Sequence, residues 1–216
     1  MTAFPVYRRL SAALALILLG VGCSDILTPS RAPRYPADHP SLPGEIFRWP
    51  AARLPVRYFA DTRGPMRALV ARGLNVWEQQ FLYGEFRAQL VADSTSADVI
   101  VVWEDSVPPD APPDTAGAVG ACGGITTILI DSTNTITEAL RVRVSVSDSF
   151  TTAQVAACLP RVTAHELGHS IGLLRHSSGP DDLMFGAPRV DVPSVRDRRT
   201  AEVLYHTPAT IQPPPR

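Results

Sequence analysis

Residues 165–176 read HELGHSIGLLRH and hold three of the five histidines in the chain. On a helix, residues four apart lie on one face, about 6 Å from each other along the axis. His165 and His169 can therefore aim an imidazole nitrogen at one point. Zinc accepts such nitrogens at roughly 2.0–2.1 Å, and a catalytic zinc usually takes three protein ligands and keeps a fourth position open. Glu166, next to the first histidine, is suited to act as general base toward a water in that open position.

The third ligand is less direct. His39 lies in a proline-rich stretch and His206 near the C-terminus, which leaves His176. In an unbroken helix His176 would sit about 10 Å beyond His169 and could not share the metal. Gly172 is where the helix can end, because glycine adopts the left-handed conformation that turns a chain back at a helix C-terminus. Arg175, one residue earlier, has no lone pair for a metal. An alternative reading keeps the metal and takes an acid, Asp181 or Asp182, as third ligand.

The segment resembles the signature of the metzincin zinc endopeptidases, most of all the matrixin branch. There HExxHxxGxxH is followed by a serine and, a few residues on, by a methionine turn beneath the metal. This chain departs by one extra residue between Gly172 and His176, then continues HSSGPDDLMF, with Ser177 after the histidine and Met184 eight residues beyond it. The resemblance implies one catalytic Zn2+ on His165, His169 and His176, with Met184 as a floor and not a ligand. It implies a protein or peptide substrate extended along a sheet edge, for which ITTILI (residues 125–130) is the candidate. Relatives often carry a second zinc and calcium in the preceding loop. Here that loop has Asp110 and Asp114 but no histidine, so calcium alone is retained as an expectation. The inhibitory propeptide cysteine of some matrixins is absent.

The elements that must position these residues follow from the apolar pattern. Residues 54–60 (LPVRYFA) and 85–92 (EFRAQLVA) read as strands, and 97–103 as a strand apolar on both faces. Residues 64–81 read as a helix that starts at Pro65 and carries Met66, Leu69, Val70, Leu74, Trp77 and Phe81 on one face. A loop rich in proline and glycine spans 108–124. In 138–146, Leu140, Val142, Val144 and Val146 alternate with Arg141 and Arg143, as in a half-buried strand. The metal-motif helix follows, with Pro160 expected to start or kink it. A last helix lies around residues 194–206. Strands mostly preceding the site helix make the fold class α+β. The resemblance implies a metzincin (zincin-like) form of it: a twisted mixed sheet with a long crossover helix, an active-site helix, a methionine turn and a C-terminal helix.

Beyond that domain, placed at residues 49–207, three segments are expected. Arg8 and Arg9 before an apolar run mark residues 1–23 as an export signal. LLGVGC also resembles a bacterial lipobox with Cys23 as the lipidated residue; simple cleavage and secretion is the alternative. Membrane association is expected only through that anchor. Residues 24–48 read as a proline-rich tether and 208–216 as a proline-rich tail. An oxidising compartment favours pairing of Cys122 with Cys158, against the alternative of two buried free thiols. A net charge of −1 leaves no electrostatic footprint for nucleic acid. The leading function is an exported zinc metalloendopeptidase. The alternative is a surface-anchored binding or scaffold protein of the same fold without activity.

Overall fold

The computed structural model describes residues 32–104, 116–119, 122–146 and 151–215. The expected export signal, Cys23, Asp110 and Asp114 lie outside them. Residues from Pro33 to the C-terminus form one compact unit.

Among the described residues, six strands form one mixed sheet: β1 (Val56–Ala60), β2 (Ala88–Val91), β3 (Val99–Glu104), β4 (Ala116–Val119), β5 (Cys122–Thr127) and β6 (Leu140–Val146). Their order is β2-β1-β3-β6-β5-β4. β1, β2, β3 and β6 run parallel; β5 is antiparallel to β6, and β4 to β5. Three α-helices among the described residues complete the α+β architecture: α1 (Met66–Glu78), α2 (Thr152–Ser170) and α3 (Val195–Tyr205).

The apolar pattern explains the layers. α1 buries Met66, Val70, Gly73, Leu74 and Trp77, the face read from the sequence, with Phe81 buried just past its end. Gly73 lets α1 approach α2 closely: a Cβ there would lie 2.6 Å from Leu167 Cδ1. Trp77 donates its indole N–H to the Ala164 carbonyl at 2.8 Å, which removes the polar penalty of burying so large a ring. In β6, Leu140, Val142 and Val144 are buried and Arg141 is exposed. β3 is less symmetric than its composition suggests. Val99 and Val101 are buried, whereas Ile100, Val102 and Trp103 are only half-buried.

Four expectations are corrected. α2 begins at Thr152, not at Pro160, which lies inside the helix. Thr151 and Gln154 form a capping box that satisfies the first turn, a stronger start signal than the proline. The loop expected over 108–124 gives way, within the described residues, to a β4–β5 hairpin that already includes Cys122–Gly124. The stretch expected as a tether is docked at particular residues and not free. Tyr35, Phe47 and Trp49 are buried, and Trp49 donates to the Ser170 carbonyl at the end of α2. The expected tail is likewise held: Ile211 is buried and bridges to Phe47. Proline-rich composition predicted extension, but residues 39–45 fold into hydrogen-bonded turns, and the aromatic and aliphatic residues between the prolines dock both segments.

Candidate metal centre

α2 carries His165, Glu166 and His169 in its last two turns, and all three are buried. The helix ends at Ser170, and Gly172 takes φ 116°, in the left-handed region. A Cβ at Gly172 would collide with the Phe47 carbonyl oxygen, so the turn depends on glycine twice. Trp49 and Tyr205 donate to the Ser170 and Ile171 carbonyls, which the helix end leaves without intrahelical partners. The chain then reverses and brings His176 back over the helix.

The three Nε2 atoms converge. They lie 3.1 Å apart for His165 and His169, 3.2 Å for His165 and His176, and 3.3 Å for His169 and His176. Three nitrogens bound tetrahedrally to one ion at roughly 2.0–2.1 Å would be about 3.3 Å from one another. His165 Nδ1 is 2.7 Å from the Leu183 carbonyl, and His169 Nδ1 is 2.6 Å from the Leu173 carbonyl. A carbonyl oxygen can only accept, so each Nδ1 holds the proton and each Nε2 keeps its lone pair. Burial, helped by the neighbouring His176, pushes the His165 pKa down to about 3. Burial, with His165 and His176 close by, holds His169 well below its ordinary value. Both rings are thus neutral near pH 7 and able to bind a cation. Together His165, His169 and His176 could hold a metal ion.

Asp181 is exposed and Asp182 is otherwise engaged. The Asp182 carboxylate accepts from the Ser177 hydroxyl, from the Ser194 hydroxyl at 2.6 Å, and pairs with Arg196 at 3.3 Å. Neither acid belongs to the histidine group. Arg175 turns away from it and pairs with Asp38 at 2.7 Å.

Met184 is fully buried, with its sulfur against Gly168 on the helix between the two ligand histidines. Its carbonyl accepts from the Ser177 N–H at 2.7 Å, which closes the loop after His176. Cys122 and Cys158 are joined in a disulfide between β5 and α2. Within the described residues β4 pairs with β5 from Cys122 to Ile125, the first residue of the stretch read as ITTILI.

Several supporting residues are not visible in the sequence motif. Thr126 on β5 places its hydroxyl 2.7 Å from Glu166 Oε2. Asp197 on α3, buried, accepts from Leu183 N–H, Ser194 N–H and the Tyr35 hydroxyl, all within 2.7–2.8 Å. It thereby anchors Leu183, the residue whose own carbonyl orients His165. Burial raises the Asp197 carboxyl above its ordinary range, although these hydrogen bonds oppose the shift. Ser194 and Asp197 have the spacing of a capping box, so the helix start was legible. The bond from Asp197 to Leu183 was not.

The chain matches no known protein-family model and no curated protein.

Proposed function

We propose that this chain is an exported zinc-dependent endopeptidase with a metzincin, matrixin-like catalytic domain. The observation that carries the reading is the convergence of three Nε2 atoms at 3.1–3.3 Å with Glu166 beside the first of them on the helix. Their spacing suits a tetrahedral ion, and an all-imidazole set with neutral rings suits zinc. When bound, zinc would lower the pKa of a coordinated water toward 7 and polarise a peptide carbonyl.

The protein's own residues would do the rest. His165 and His169 are held as Nε2 donors by the Leu183 and Leu173 carbonyls. Glu166 would take the proton from the attacking water and return it to the departing amine. A peptide would lie extended and add to a sheet edge, for which residues 125–130 are the candidate. Export, with or without a lipid on Cys23, is supported by the Cys122–Cys158 bond, which suits an oxidising compartment. Among the described residues no helix is long and apolar enough to cross a membrane.

The deciding experiment loads the purified full-length protein with zinc and follows cleavage of a denatured protein substrate, alongside Glu166→Ala and a chelated sample. Expected is cleavage by the wild type, loss on chelation, and a fall on the order of 10²–10⁴-fold in Glu166→Ala. A folded protein that binds one zinc and cleaves nothing would instead be a binding or scaffold protein.

A further inference from the structure

β5 and α2 run alongside each other as two matched rows. Alternate strand residues share a face, so Cys122, Gly124 and Thr126 point one way. Helix residues four apart share a face, so Cys158, Val162 and Glu166 do too. Two strand residues advance about 6.8 Å and four helix residues about 6 Å, so the rows stay in step over this length.

Each rung is occupied. Cys122 and Cys158 are bonded, with Cα atoms 5.8 Å apart. At the middle rung a Cβ on Gly124 would lie 2.5 Å from Glu166 Cγ and 2.8 Å from Val162 Cγ1, so only glycine lets the glutamate lie flat against the strand. At the last rung the Thr126 hydroxyl is 2.7 Å from Glu166 Oε2 and 3.0 Å from the Glu166 carbonyl oxygen. The hydroxyl has one proton to give. The helix ladder already serves that carbonyl, and the carboxylate is the nearer and stronger acceptor.

We propose that Thr126 is a positioning residue, whose hydroxyl holds the Glu166 carboxylate in one orientation beside the three histidines. This rests on the reading of Glu166 as general base. Thr126 is itself anchored, being buried and paired in register with Val142 of β6.

The test compares full-length wild type, Thr126→Val, Thr126→Ser and Glu166→Ala. Valine keeps the shape and removes the donor; Thr126→Ala serves if the valine variant does not fold. The first readout is the Glu166 side chain in metal-free crystal structures. Thr126→Val should release the carboxylate from its single rotamer, and Thr126→Ser should restore it. The second readout is kinetic: with zinc content unchanged, Thr126→Val should lower kcat on the order of 10-fold to 100-fold with KM nearly constant, and Thr126→Ser should recover most of it. A carboxylate that stays in place in Thr126→Val, or equal losses in the valine and serine variants, would overturn the proposal. If wild type and Glu166→Ala are alike inactive, the peptidase reading fails, and the side-chain orientation still decides the role of Thr126.

Discussion

Arg175, one residue before the third histidine of the candidate metal centre, places its Nε 2.7 Å from Oδ1 of Asp38. That pair explains how the chain accommodates the late His176. Position 175, where the unlengthened motif would put a ligand, is turned toward the N-terminal segment and tied there. Position 176 is the one that faces the helix. The extra residue is absorbed in the turn after Gly172, with the donor set complete.

Shifting the histidine back should therefore not rebuild the site. His176→Ala is expected to weaken zinc binding by at least 10-fold to 100-fold while leaving the fold intact, since His176 is half-buried. Arg175→His combined with His176→Ala should bind zinc no better than His176→Ala alone. Competition with a chromophoric chelator measures both. Recovery of affinity in the double variant would mean that the turn is plastic enough to present either position.

Metal-free protein should lose stability as the pH falls below neutral. His165 and His169 have pKa values depressed by burial, to about 3 for His165. In the unfolded chain they titrate near 6.5. Their contribution is complete above about pH 6.5 and is lost as the pH drops toward 3, because the unfolded state binds the protons that the folded state refuses. Asp197 acts in the opposite sense, since its raised carboxyl takes up a proton in the folded state. The histidine effect is read from urea midpoints between about pH 7 and 5.5, above the ordinary carboxylate range. Midpoints that rise over that interval as the pH is lowered would contradict it.

Gly168→Ala should destabilise the protein without touching a ligand. The new methyl would run into the Met184 sulfur and come to 2.7 Å from Trp77 Cζ2. Overpacking of this kind costs about 1–3 kcal/mol. Adding Met184→Ala should relieve part of the strain, so the double variant should be less unstable than the sum of the two single changes. Thermal unfolding of the four proteins gives the coupling, and strict additivity would show that the two side chains do not meet.

Removal of the disulfide should cost more. Cys122 and Cys158 close a loop of 36 residues, for which chain entropy alone predicts about 3–4 kcal/mol. Cys122→Ser with Cys158→Ser should lower the unfolding free energy by that order. Denaturant titration checks it, and an unchanged midpoint would mean that the strand and helix hold their register by packing alone.

Much of this protein was legible residue by residue. Periodicity in residues 64–81 and 138–146 marked the buried faces of α1 and β6, because helix and strand geometry impose those spacings locally. The His165–His169 pair and the helix-ending glycine were legible for the same reason: their meaning lies within one or two turns of chain. Tertiary structure decided what depends on distant partners. Tyr35 was hidden in a proline-rich stretch because its docking site on Asp197 lies far along the chain. The start of α2 is a local matter instead: the Thr151–Gln154 capping box, not Pro160, sets it. Thr126 looked like any strand residue until β5 was laid against α2. Spacing along the chain could bring three histidines to one metal, but only the packing of strand on helix could say what holds the glutamate beside them.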